Sequence, residues 1–106
     1  MNARLSWTLT AFAYTAAVAF VVLSYLQLCS IYGSYFFGLW MPPSNETFQF
    51  STAVCAFGVA FLGTIGGGFV CLHGGSWLPR IIAGVPAVLG LMVLSWALVE
   101  TLRYGF

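Results

Sequence analysis

The stretch that decides the fold is residues 51–72, STAVCAFGVAFLGTIGGGFVCL. It carries no formal charge, and its length matches the roughly 20 apolar residues that a helix needs to cross a hydrocarbon core about 30 Å thick. The neutral block around it, residues 47–79, is bounded by Glu46 and Arg80. We therefore interpret residues 51–72 as a membrane-spanning helix.

The rest of the chain has the same apolar character. Of its 106 residues, 61% are hydrophobic and only 5% are charged. In a typical soluble domain about a quarter of all residues are charged, so a water-facing surface cannot be built from this composition. Three arginines scattered along the chain form no basic patch. Soluble globular proteins, disordered chains and electrostatic nucleic-acid binders are thereby excluded, which leaves an integral membrane protein with the lipid bilayer as its first partner.

Two further neutral blocks, residues 5–45 and 81–99, lie on either side of the central block. Because open strands cannot satisfy their backbone amides in lipid, the crossings must be helices. The fold class that we predict is an all-α integral membrane protein with three transmembrane helices and a short aromatic interfacial segment after the first. The predicted spans are about 5–29, 51–72 and 81–102, joined by an interfacial or loop segment at 30–50 and a short loop at 73–80.

The first block is long enough to raise two alternatives. Two short crossings within residues 5–45 would leave a second span of about ten residues, which is too short to cross. A cleavable leader would end near Ala17-Val18-Ala19, but the apolar run continues from Phe20 to Leu28. We therefore predict one retained span, followed by the aromatic stretch Ile31 to Met41.

Three spans place the two termini on opposite sides of the membrane. With the N-terminus in the cytoplasm, Arg4 and Arg80 lie inside, whereas Glu46, Glu100 and Arg103 lie outside. Basic residues are more frequent in cytoplasmic loops. This bias of two arginines against one favours an N-terminus in the cytoplasm and a C-terminus on the opposite side.

Small residues recur at helical spacing in the second and third spans. In lipid, helices associate mainly through close packing, which glycine and alanine allow. The second span also contains a GxxxG pair. We predict a helix-packing seam, which either packs the three spans on one another or docks another subunit; its residues are Ala56, Ala60, Gly63, Gly67, Ala83, Ala87 and Gly90.

The third span contains two further features. Pro86 removes its own amide donor and frees the carbonyl of Ile82, so we expect a kink there, either static or acting as a hinge. Glu100 and Arg103 are spaced i,i+3 and share a helix face, which predicts an ion pair at the end of the span.

Candidate ligands are few. His73 is the only histidine, so it could ligate haem or line a quinone pocket only together with a partner chain; the alternative is a polar residue at the end of a helix. We predict no cofactor and no metal site from this chain alone. Cys29 and Cys55 could form a disulfide on an oxidising side, and Asn45 begins a glycosylation sequon, Asn-Glu-Thr.

The sequence shows no pair of nucleophile and base, so we expect no enzymatic activity. The leading hypothesis is a small accessory or scaffold subunit of a larger membrane complex that acts by helix packing, in a hetero-complex rather than a homo-oligomer. The size and layout resemble those of small subunits in respiratory and photosynthetic complexes, in architecture only. The alternatives are a homo-oligomeric channel or small-solute transporter, and a redox subunit that contributes His73 to haem or quinone.

Overall fold

The computed structural model describes residues 3–73 and 76–104. These residues form three α helices: α1 (Ala3–Tyr32), α2 (Glu46–His73) and α3 (Trp77–Tyr104). All three are long and apolar enough to cross a membrane. Within the described ranges no strand is present beyond an isolated bridge between Phe36 and Trp40. The prediction of an all-helical chain with three helices of spanning length is confirmed, and their composition supports insertion into a membrane.

The helices are longer than the predicted spans. α2 begins at Glu46 rather than at 51, and α3 begins at Trp77 rather than at 81, so parts of both predicted loops are helical. The neutral blocks mark where the chain crosses lipid, whereas helix ends depend on capping. The side-chain oxygen of Asn45 accepts a hydrogen bond from the Phe48 amide at 2.7 Å, which makes Asn45 the N-cap of α2.

The helices run up, down and up. Along α2, Gly63 approaches Ala16 and Gly66 approaches Phe12, so α1 and α2 are antiparallel. The same order of contacts makes α2 and α3 antiparallel. We call the end that contains Arg4 and Arg80 the basic end, and the opposite end the hairpin end.

α2 is the central helix of the bundle. It packs along both neighbours, while α1 and α3 contact each other less. The described chain measures 46 × 35 × 16 Å, which fits three helices lying nearly side by side. The core is made of small residues at the helix contacts, among them Ala13, Ala56, Ala60 and Ala83. Most large apolar side chains point outward, as expected for a chain surrounded by lipid.

α1 ends in a glycine cap at the hairpin end. Gly33 has a φ of +70° and the Ser34 amide donates to the Cys29 carbonyl at 2.9 Å. This is the geometry of a Schellman motif, in which a left-handed glycine follows the helix. The cap directs the chain away from the helix axis and into the aromatic segment.

The aromatic segment folds into a tight hairpin against α1. Leu39 donates its amide to the Phe36 carbonyl at 2.9 Å, with Phe37 and Gly38 at φ values of 49° and 75°. A non-glycine residue in the left-handed region costs about 1 kcal/mol. The Phe37 ring stacks on Tyr25 with the centroids 5.1 Å apart, and such aromatic pairs return about 0.5–1.5 kcal/mol. The stacking therefore holds the turn against α1.

A group of hydrogen bonds around Ser30 joins the end of α1 to the beginning of α2. The Ser30 hydroxyl donates to the Pro43 carbonyl, and the Ser44 hydroxyl donates to the Ser30 carbonyl at 3.0 Å. The Gln49 amide approaches the Ser30 hydroxyl at 3.4 Å. These bonds satisfy the hydroxyl and the carbonyl of the buried Ser30 at the point where the hairpin returns to the bundle.

Candidate functional site

The contact between α1 and α2 is close at two glycines of α2, where an added side chain would be crowded. A Cβ added at Gly63 would lie 3.0 Å from the Ala16 Cβ, and one added at Gly66 would lie 3.1 Å from the Phe12 ring. The two backbones thus approach as closely as small residues permit.

The contact between α2 and α3 is closer still. A Cβ at Gly67 would lie 2.8 Å from the Ala83 carbonyl oxygen, and a Cβ at Gly90 would overlap the Thr64 hydroxyl. Gly63 and Gly67 therefore face different neighbours, one on α1 and the other on α3. Every residue of the predicted seam is buried except Gly90, which is partly buried. Most of the seam is therefore packed within the chain, while Ala60, Gly63 and Gly90 also border a cavity.

Pro86 lies inside α3, and α1 compensates for the hydrogen bond that it removes. The Tyr14 hydroxyl donates to the Ile82 carbonyl at 2.7 Å. This carbonyl would otherwise accept from the amide that residue 86 lacks. The helix continues through the proline. The bond joins the two outer helices directly, and the predicted kink stays a prediction.

An apolar cavity of about 320 Å³ lies between α1 and α3 on the hairpin side of this bond. Its floor includes Ala13 and Gly63, which are buried, and its mouth is formed by exposed side chains, Val21, Leu89 and Met92. No charged residue lines it. Its volume is within the range of about 300–1,000 Å³ that is typical of small-ligand sites.

The one hydroxyl in the cavity lining is already hydrogen-bonded. Thr64 donates to the Ala60 carbonyl of its own helix at 2.7 Å. The cavity therefore offers shape and apolar surface rather than polar recognition. An apolar side chain or a hydrocarbon chain is the chemistry that it can accommodate.

His73 is the last residue of α2, and its side chain is exposed. Its ring lies against Phe69, with the centroids 5.0 Å apart. Among the described residues, no group of three or more His, Cys, Asp or Glu side chains could hold a metal ion. The role of His73 toward haem or quinone stays a prediction.

An ion pair between Glu100 and Arg103 is predicted from the sequence, but the structure does not bring the two side chains together. Over residues 3–73 and 76–104, no hydrogen bond or ring contact joins the two side chains. The Arg103 guanidinium instead lies over the ring of Tyr104, 5.6 Å from its centroid. Near the end of a helix the long side chain of an arginine has several possible partners within reach. The i,i+3 spacing alone therefore does not determine that it pairs with the glutamate.

Cys29, Cys55 and Cys71 are all free. The buried Cys29 thiol lies 3.6 Å from the Tyr35 carbonyl, whereas Cys55 is exposed. The Asn45 side chain of the sequon is engaged as the cap of α2. These side chains have structural roles or face outward, and none of them belongs to the cavity.

Sequence reasoning missed Tyr14 and the cavity. The freed carbonyl of Ile82 was the available signal, because a proline within a span indicates that a donor from another helix is needed. Which helix supplies the donor depends on the rotation of α1 about its axis, and hydropathy does not encode that rotation.

Comparison with protein-family models, with curated proteins and with solved structures finds no match for this chain.

Proposed function

We propose that the chain is a small accessory subunit of a larger membrane complex and that it acts by helix packing. The observation that carries this proposal is the apolar cavity between α1 and α3. We infer that the cavity receives an apolar side chain from a helix of a partner protein. The small-residue seam packs mostly within the bundle, and three of its residues, Ala60, Gly63 and Gly90, also line the cavity.

Three features support a docking role. The cavity is concave and apolar, and its mouth opens sideways between exposed side chains. In lipid, association of helices relies on van der Waals complementarity, so a preformed concavity favours binding of a protruding side chain. Within residues 3–73 and 76–104 little chain lies outside the helices, so this part of the protein offers only small surfaces to soluble partners.

A pore along the glycine seam has no support from the geometry. Gly63 and Gly67 pack against α1 and α3 at distances that leave no channel between the helices at these contacts, and the cavity that Gly63 also lines is apolar. We expect purified chain in liposomes to show no flux of small neutral solutes above that of empty liposomes. Flux that scales with the amount of chain would favour the transporter hypothesis instead.

Site-specific photo-crosslinking tests the docking role. A benzophenone residue replaces Met92 at the mouth of the cavity, and the control carries it at Ile65, which is similarly exposed on α2 but outside the cavity. After irradiation of native membranes, we expect one defined membrane protein attached at Met92 and not at Ile65. Attachment to lipid alone, or a partnerless monomer in mild detergent, would contradict the proposal.

Filling the cavity provides an independent test. Ala17→Phe places a ring in the cavity, while Ile65→Phe adds a ring on the exposed face of α2. We expect the first variant to lose co-purifying protein and the second to retain it, with equal helix content by circular dichroism. If both retain the partner, docking occurs elsewhere.

We also propose that the basic end faces the cytoplasm. Arg4 and Arg80 supply two positive charges there, whereas the hairpin end carries one arginine, Arg103. In a cysteine-free background, Ser76→Cys at the basic end and Leu39→Cys at the hairpin tip report the orientation. Only Leu39→Cys should react with an impermeant maleimide added outside intact cells; the opposite labelling pattern reverses the orientation.

A further inference from the structure

We propose that the basic end carries a binding site for the phosphate group of an anionic phospholipid, in a second cavity between the last turn of α2 and the first turns of α3. This cavity has a volume of about 300 Å³ and is lined by Cys71, Trp77, Arg80, Ile81 and Gly84. Unlike the first cavity, it contains a charged side chain.

Arg80 is held in place by the end of α2. Its Nε donates to the Cys71 carbonyl oxygen at 2.8 Å. Cys71 lies in the last turn of α2, where carbonyls lack an amide partner in their own helix. One of the five guanidinium N–H donors is thereby used, and the remaining ones have no partner among residues 3–73 and 76–104.

No side chain of this protein can supply the counter-charge. The chain has two acidic residues, Glu46 and Glu100, and both belong to the hairpin end. A guanidinium oriented through Nε leaves its two terminal nitrogens for an external anion, and arginine binds phosphate through two parallel hydrogen bonds. The first turn of α3 adds the partial positive charge of a helix N-terminus.

The remaining lining indicates that the anion is carried by a lipid. Trp77 and Ile81 are 70% and 60% exposed beside Arg80, so large apolar surface adjoins the charge. Gly84 lacks a side chain and leaves the floor of the cavity apolar next to the Cys71 thiol. In a phospholipid the charged phosphate is followed by the glycerol and then by the acyl chains, and the charged Arg80 beside apolar lining residues matches this order. Tryptophan favours the headgroup level of a bilayer, which fits the position of Trp77.

Lipid binding to the purified full chain tests the proposal. Native mass spectrometry from mixed micelles measures retention of phosphatidylglycerol against phosphatidylcholine. We expect preferential retention of phosphatidylglycerol, and Arg80→Gln should weaken it roughly tenfold or more, because the charge-assisted hydrogen bonds to the phosphate are lost. Arg4→Gln removes the same charge from the same end outside the cavity and should change retention less than about threefold.

Two further variants separate binding from folding. Arg80→Lys retains the charge but loses the forked geometry and should fall between wild type and Arg80→Gln. Gly84→Leu fills the floor while Arg80 stays, and it should also lose the lipid; circular dichroism checks that each variant retains its helices.

Several outcomes would overturn the assignment. Equal losses for Arg80→Gln and Arg4→Gln would reduce the effect to general surface charge. Equal retention of the two lipids would remove the anion preference. Displacement of phosphatidylglycerol by millimolar inorganic phosphate would assign the site to free phosphate rather than to a lipid.

Discussion

Gly67→Ala is the sharpest test of the packing between α2 and α3. The added Cβ would lie 2.8 Å from the Ala83 carbonyl oxygen and 3.2 Å from the Ala87 Cβ. Carbon–oxygen contacts normally begin at about 3.3 Å, so the two helices must separate by about half an ångström. Because the obstacle is backbone, no side-chain rotation can relieve it.

The neighbouring glycine provides a matched control. A Cβ at Gly68 would meet no atom within 4 Å. Both substitutions gain up to about 1 kcal/mol of helix propensity, so this gain cancels when the two variants are compared. The difference in the free energy of unfolding then isolates the steric cost, which overpacking places at about 1–3 kcal/mol. Gly63→Ala, with 3.0 Å to the Ala16 Cβ, should fall between them.

Reversible unfolding in mixed micelles measures this difference. Dodecyl sulfate is titrated into maltoside micelles while circular dichroism follows helix loss, and each variant yields a free energy of unfolding. We expect stability to increase in the order Gly67→Ala, Gly63→Ala, Gly68→Ala. If Gly67→Ala and Gly68→Ala agree within about 0.5 kcal/mol, the close approach of α2 and α3 is refuted.

Three further variants probe other parts of the fold. Tyr14→Phe should cost about 0.6–1.7 kcal/mol in the same titration, because the Ile82 carbonyl loses its donor; an unchanged midpoint would show that this bond contributes nothing. Asn45→Ala should destabilise by about 0.5–2 kcal/mol through loss of the helix cap, whereas Thr47→Ala destroys the sequon and retains the cap, so equal effects would argue against capping. Gly38→Ala should cost about 1 kcal/mol at its φ of 75°, and amide hydrogen exchange in the hairpin should rise; unaltered exchange would contradict this turn geometry.

The number and type of the elements could be predicted from the sequence, because an uncharged block of spanning length has few conformations other than a helix that satisfy its backbone in lipid. The sequence predicted the helix ends less well. Glu46 was assigned to a loop because it is charged, yet it lies in the first turn of α2, where an acid is favourable. Charge marks the boundary of the hydrocarbon, and a helix continues beyond it until a cap ends it.

The candidate site was less accessible to sequence reasoning. Spacing placed Gly63 and Gly67 on one seam, but a central helix has two neighbours, and the structure divides the pair between them. The apolar cavity arises where α1 and α3 leave space beyond the bond between Tyr14 and Ile82. Such a gap is a property of how three helices are rotated and tilted together, and no single span encodes it.

The bond between Tyr14 and Ile82 also limits how α1 and α3 can move. Sliding α3 by one turn would shift its backbone about 5.4 Å along the axis and carry the Ile82 carbonyl out of reach of the phenol. The other carbonyls of an uninterrupted helix already accept an amide hydrogen bond, so none of them lacks a donor as the Ile82 carbonyl does. Because Pro86 leaves one carbonyl without its amide donor, one relative height of the parallel helices α1 and α3 is favoured over the others.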